Sequence, residues 1–128
     1  MTAHVAPQVV LIVEDDQLLQ VLTADIVEAA GFTALLADNA DEAVALLEAR
    51  SDIALLLTDI NMPGSMDGLK LAHAVRDRWP PIKIIVMSSR VPESDLPVDS
   101  CFFSKPYQSA EMISEIRSLI APKLELRP

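Results

Sequence analysis

Residues 9–16 read Val9-Val10-Leu11-Ile12-Val13-Glu14-Asp15-Asp16, five aliphatic residues running straight into three carboxylates. An unbroken aliphatic run of this length marks a strand buried on both faces, because a strand with one wet face alternates polar and apolar instead. Runs of the same kind recur over residues 53–58 and 82–87, with a weaker one over 32–37 and a short one over 101–104. Helical periodicity fills most of the gaps. Leu18, Leu19, Leu22, Ile26 and Ala29 recur at helical spacing, and Gly31 stands where a helix C-terminus favours glycine. Asn39 with Glu42 three residues on predicts a capping box for a helix reaching about Arg50, with Val44, Leu46 and Leu47 on its apolar face. A helix over 69–79 is stopped by Pro80-Pro81. A last helix over 108–120 carries Met112, Ile113, Ile116, Leu119 and Ile120 inward, and Pro122 ends it.

Buried strands alternating with amphipathic helices predict an α/β fold with a parallel sheet covered on both faces. Five strands with right-handed crossovers favour the flavodoxin-like, doubly wound order 2-1-3-4-5. One connection departs from the pattern. Residues 88–100, between the fourth and fifth strands, barely suffice for a crossover with its own helix, and Pro92 and Pro97 interrupt them. Val91, Leu96 and Val98 form no helical stripe. The fourth helix of such a fold is therefore expected to be shortened or missing, and this segment to open at low free-energy cost. The domain is read as residues 8–122, with 1–7 and 123–128 as flexible ends.

Composition narrows the function. The 128 residues carry a net charge of −9, which speaks against nucleic acid as a partner. No apolar stretch approaches the roughly 20 residues that span a bilayer, and the N-terminus lacks the pattern of a secretory signal, so a cytoplasmic protein without membrane contact is expected. The single Cys101 excludes a disulfide framework and a cysteine-rich zinc site. Three glycines, Gly31, Gly64 and Gly68, leave none for a glycine-rich phosphate loop.

In doubly wound sheets the ligand sits beyond the carboxyl ends of the strands, at the switch point between the first and third. There this sequence places Glu14-Asp15-Asp16 after the first strand, Asp59 after the third, Ser88-Ser89 after the fourth and Lys105-Pro106 after the fifth. Clustered carboxylates do not all stay ionised without a cation. Hard oxygen donors of this kind suit Mg²⁺, which shares its coordination with a phosphate rather than filling a protein cage. An aspartate can be phosphorylated as a nucleophile, and the transferring group needs positive charge and donors around it, which Lys105 and the Ser88 hydroxyl supply. Asp16 is read as the N-cap of the first helix. Cys101, Phe103 and Trp79 are read as packing residues, and His4 and His73 as surface or structural ones.

The chain resembles the receiver domains of two-component response regulators over nearly its whole length. The resemblance rests on 11–16 (Leu-Ile-Val-Glu-Asp-Asp), 58–63 (Thr-Asp-Ile-Asn-Met-Pro), 66–68 (Met-Asp-Gly), 87–89 (Met-Ser-Ser) and 104–107 (Ser-Lys-Pro-Tyr), five motifs in the right order at strand ends. It implies that Asp59 accepts a phosphoryl group from a phosphohistidine on a sensor histidine kinase or histidine phosphotransferase. It implies that Glu14, Asp15 and Asp59 hold Mg²⁺ with the Asn61 carbonyl, and that Lys105 and Ser88 contact the phosphoryl oxygens. Phe102 matches the aromatic position that turns inward when Ser88 moves to the phosphate, and the family holds the peptide before Pro106 cis. Such a domain switches protein contacts or passes the phosphoryl group on, and is not a turnover enzyme on other substrates.

Two features depart from the family. The loop from Pro63 to Gly68 has one residue more than the common form, with Gly64 expected to relieve its turn and Gly68 to allow close packing at a helix start. The short connection before the fifth strand removes part of the usual dimer surface, so a monomer or weak dimer is expected. Two other classes share the topology. A flavin or nucleotide binder would not place three carboxylates after the first strand. A magnesium-dependent phosphatase needs an acid/base aspartate two residues past its nucleophile, where this chain has Asn61.

Overall fold

The computed structural model describes residues 8–62, 66–92 and 95–120. The ends read as flexible and the Gly64 turn lie outside these residues. The elements run β1 (Val9–Val13), α1 (Gln17–Ala29), β2 (Thr33–Ala37), α2 (Ala40–Ala49), β3 (Ile53–Asp59), α3 (Gly68–Arg78), β4 (Lys83–Ser88), β5 (Ser100–Ser104) and α4 (Ser109–Leu119). All strand pairs are parallel, in the order β2-β1-β3-β4-β5. Among the described residues no helix stands between β4 and β5, as the two prolines led one to expect.

The pleat sends alternate side chains of one strand to opposite faces. Val9, Leu11 and Val13 of β1 join the core beneath α2 and α3, while Val10 and Ile12 join the core beneath α1 and α4. In β5, Phe102 packs on the first side and Cys101 and Phe103 on the second. Where a further helix would cover β4 and β5, Leu96 and Phe102 lie against the first core instead.

Most helix ends follow the sequence signals. Asp16 caps α1 by accepting the Leu19 N–H, and Gly31 takes φ 100° just past its end. Asn39 caps α2 by accepting the Glu42 N–H at 2.9 Å, but the Glu42 carboxylate accepts from the Asp38 N–H rather than closing the box on Asn39. The face of α1 differs more. Leu18, Leu19 and Leu22 of the apolar stripe are exposed, Leu18 to 67%, and the side chains turned inward are Gln20, Thr23 and Val27. The cause is polar: the Gln20 amide is drawn inside by carbonyl and carboxylate acceptors at the ends of β1 and β2. On α2 the buried residues are Ala40, Ala43 and Leu47, with Val44 and Leu46 at the margin.

Candidate functional site

The strands deliver four chemistry-bearing side chains to one edge. Glu14 follows β1 directly, Asp59 ends β3, Ser88 ends β4 and Lys105 follows β5. Main-chain bonds lock this edge together. The Glu14 N–H donates to the Ala37 carbonyl, Ile60 to Met87, and Lys105 to Ser88 at 2.8 Å. The Lys105-Pro106 peptide is cis.

Carboxylate oxygens of Glu14, Asp15 and Asp59 lie within 4.8 Å of one another. Glu14 and Asp59 are buried, while Asp15 is exposed. The Lys105 ammonium stands 3.1 Å from Asp59 Oδ1 and 3.3 Å from Glu14 Oε1. Burial pushes the Asp59 carboxyl above its ordinary value, against the pull of Lys105, with the Asp15 charge adding to the rise. Glu14 is likewise raised, by burial first, against the Asp16 N–H bond and Lys105. Burial alone would lower Lys105, but Asp59 and Glu14 outweigh it and hold the ammonium charged. Three acids thus face one cation, and the two buried ones are left short of positive charge. That donor set of hard oxygens fits a small divalent cation such as Mg²⁺.

The Ser88 hydroxyl accepts the Arg90 backbone N–H at 3.1 Å and the Asn61 side-chain amide at 3.4 Å. Asn61 and Ser88 therefore meet each other, and Lys105, Asp59 and Glu14 form the adjoining ion-paired group. Phe102 is half-buried on β5, two strands from Asp59. Sequence reasoning passed over Gln20 and Asp38. The signal was present, since Gln20 shares the 20-23-27 spacing of the residues that α1 buries, but a polar residue does not announce itself in an apolar count.

A groove of about 690 Å³ opens from this edge between α1 and α4, with Glu14 and Lys105 at one end and Leu19, Leu22, Ile26 and Ile113 along it. Leu18, Val21 and Leu22 add an exposed apolar patch on α1.

Residues 10–117 match the response regulator receiver domain family. The chain belongs to that family. This receiver domain is 32% identical over 116 residues to the response regulator receiver protein CpdR of Brucella abortus, covering 87% of this chain and 95% of that protein. It is 36% identical over 80 residues to FleR of Pseudomonas aeruginosa, covering 62% of this chain and 16% of that longer protein. Among solved structures, a response regulator receiver protein from Sinorhizobium medicae superposes with a TM-score of 0.81 at 24% identity, over 88% of this chain and 93% of that one. TrrA of Thermotoga maritima, in complex with Mg²⁺ and BeF, superposes with a TM-score of 0.78 at 24% identity, over 88% and 99%. The pocket of Glu14, Asp15 and Asp59 is typical of the receiver phosphoacceptor site, where the family binds Mg²⁺. Membership decides among the three readings of the acidic cluster in favour of two-component signalling. Among the described residues no helix is long and apolar enough to cross a membrane.

Proposed function

We propose that Asp59 is the residue phosphorylated, by a phosphohistidine of a sensor histidine kinase or histidine phosphotransferase in the cytoplasm. The Lys105 ammonium, reaching Asp59 and Glu14 at once, is the observation that carries this reading. A lone buried aspartate beside a lysine is a salt bridge; an aspartate that shares its lysine with a second buried acid holds surplus negative charge, which a cation and a transferring phosphoryl group use. A carboxylate oxygen of Asp59 attacks phosphorus as the donor's P–N bond breaks. The electron pair stays on the imidazole nitrogen, and an acyl phosphate forms on Asp59. Lys105 is already oriented to follow the charge from the carboxylate to a phosphoryl oxygen, and the Ser88 hydroxyl can leave Arg90 and Asn61 to donate to another. Glu14, Asp15, Asp59 and the Asn61 carbonyl are the residues to hold Mg²⁺, which when bound neutralises charge on the phosphoryl oxygens.

The donor's helix docks on α1. The groove beginning at Glu14 and Lys105 continues between apolar side chains of α1 and α4, so a helix lying along it brings its histidine to the acidic edge. Exposed Leu18, Val21 and Leu22 are the apolar contacts such a helix uses. The domain works as a switch or phosphoryl carrier, and hydrolyses its own acyl phosphate slowly.

Incubation with acetyl phosphate and Mg²⁺ should add one phosphoryl group by intact mass, and Asp59→Asn should abolish it. Labelling that survives in that variant overturns the assignment. Leu18→Asp with Leu22→Asp should slow transfer from a phosphorylated histidine phosphotransferase by a far larger factor than transfer from acetyl phosphate; equal slowing would remove the docking face.

A further inference from the structure

We infer that Gln20 is a positioning residue for the metal-binding turn, fastening Glu14 and Asp15 in place through the Glu14 carbonyl and sharing that duty with Asp38. This rests on the phosphoacceptor reading and assigns a role to a residue outside the acidic cluster. Gln20 lies in the first turn of α1 and is only 6% exposed. Its Nε2 donates to the Glu14 carbonyl at 2.6 Å and to Asp38 Oδ1 at 2.6 Å, with the Ala37 carbonyl at 3.5 Å. Its backbone N–H donates to the Asp16 carbonyl at 2.9 Å. Side chain and main chain of one residue thus return to both ends of the Glu14-Asp15-Asp16 turn.

The other contacts of the turn show why this matters. The Glu14 N–H is held by Ala37, and Glu14 Oε2 accepts the Asp16 N–H at 3.2 Å. The Gln20 amide adds the restraint on the Glu14 carbonyl, which belongs to the peptide leading into Asp15. That peptide sets the direction of the exposed Asp15 carboxylate relative to buried Asp59. Packing does not call for a glutamine here: its chain neighbours Leu19 and Val21 are aliphatic yet exposed, and such a side chain would fill the interior more readily. A buried amide is costly unless its donors are met, and this one has two short acceptors from two different strand ends. Fixing ligands through a neighbouring hydrogen bond is how outer residues commonly set metal affinity.

The test measures Mg²⁺ binding to the whole chain by calorimetry without any phosphoryl donor, alongside far-UV circular dichroism. Gln20→Glu keeps the shape but turns a donor into an acceptor facing the Asp38 carboxylate. It should weaken Mg²⁺ binding roughly tenfold. Acetyl phosphate labelling should then need correspondingly more Mg²⁺ for half its maximal rate, while the rate at saturating Mg²⁺ stays within about twofold, a split that general loosening of the fold would not give. Gln20→Arg restores donors toward both acceptors and should recover most of the affinity. Asp38→Ala, a change at an exposed position, removes one anchor of the amide and should weaken binding in the same direction by less. Wild-type Mg²⁺ affinity in folded Gln20→Glu and Asp38→Ala overturns the role of Gln20 and leaves the phosphoacceptor reading standing. Absence of both Mg²⁺ binding and labelling in the wild-type chain overturns the reading itself and this role with it.

Discussion

Gly68 lies against the backbone of Asp59 with no room for a side chain between them: a Cβ built on Gly68 would overlap the Asp59 carbonyl oxygen and stand 2.7 Å from its carbon and 2.9 Å from the Thr58 hydroxyl. The Gly68 N–H also donates to the Ile60 carbonyl at 2.9 Å, so the start of α3 is riveted to the end of β3. The missing side chain brings a helix terminus onto the strand that carries the acidic site. Gly68→Ala sets two effects against each other. Helix propensity favours alanine by up to about 1 kcal/mol, whereas overpacking against backbone costs roughly 1–3 kcal/mol and cannot be relieved by a rotamer change. Packing should win. Urea melts should show a net loss of stability, and acetyl phosphate labelling should slow because the displaced atoms belong to Asp59. A stability gain would mean that α3 shifts freely.

Asp59→Asn should stabilise the chain in the absence of Mg²⁺. Burial raises the carboxyls of both Glu14 and Asp59, so the folded state prefers each of them neutral and their ionised forms work against folding at neutral pH. An amide removes one of these charges while Lys105 keeps Glu14 as a partner. The gain should be on the order of 1 kcal/mol, or roughly 4 °C in the melting midpoint. Mg²⁺ should raise the wild-type midpoint by binding only the folded state, and raise that of Asp59→Asn much less. Thermal melts of both proteins with and without Mg²⁺ check both halves.

Strand content, order and the acidic edge were legible in the sequence because buried parallel strands are unbroken aliphatic runs and their last residues declare themselves by polarity. Val9–Val13 ending on Glu14 is such a case, and so is Ile53–Asp59. That no helix stands between β4 and β5 among the described residues was legible too, from Pro92, Pro97 and the shortness of the segment. The face of α1 was not. Counting apolar residues put Leu18, Leu19 and Leu22 inward, but a helix turns to satisfy buried acceptors as well as to bury carbon, and those acceptors belong to strand ends distant in sequence. Of the leucines left outside, Leu19 and Leu22 line the groove between α1 and α4. For the same reason nothing in the sequence marks Arg76, which donates to four carbonyls.

Cys101 should be slow to react. Burial first, and then the Glu115 carboxylate 3.0 Å from its sulfur, push the thiol up from 9.0 to about 11. The thiolate fraction near pH 8 is then roughly a hundredfold below that of an ordinary thiol. Alkylation at pH 8 should be correspondingly slow in the native protein and ordinary in urea. Glu115→Gln should speed the native reaction severalfold without reaching the unfolded rate, since burial remains. The folded chain keeps the proton longer than the unfolded one, so this thiol's contribution to stability is present below about pH 9 and is lost as the pH rises toward 11. A native rate equal to the rate in urea would refute the half-buried, acid-paired setting.

The connection that replaces a helix between β4 and β5 is held from α3. Arg76 Nε donates to the Val98 carbonyl at 2.8 Å and Nη2 to Asp99 at 3.2 Å, while Nη1 donates to Pro80 at 2.8 Å and Ile82 at 3.1 Å. His73 Nε2 lies 2.8 Å from the Asp95 carbonyl. Asp99 takes φ 60°, a left-handed conformation that costs a non-glycine residue energy and persists where its surroundings impose it. The late part of the connection, 95–99, is thus fastened by side chains, whereas Val91 at its start is 85% exposed. Arg76→Ala strips a charged donor from four carbonyls and should cost about 2–3 kcal/mol. Arg76→Lys should recover little, because one ammonium cannot reproduce a planar fork directed at acceptors on both sides. Hydrogen exchange tells where the loss falls. In the wild type, the Val91 amide should exchange fast and those of β5 slowly, and Arg76→Ala should raise exchange at 98–102 before it affects β1 or β3. Phosphorylation should change protection most at 88–90 and 102–105, where Ser88 and the strand beside it respond to the acyl phosphate. If Arg76→Ala leaves exchange at 98–102 unaltered, the connection is held by the packing of Leu96 and Phe102 instead, and Arg76 is an ordinary surface residue.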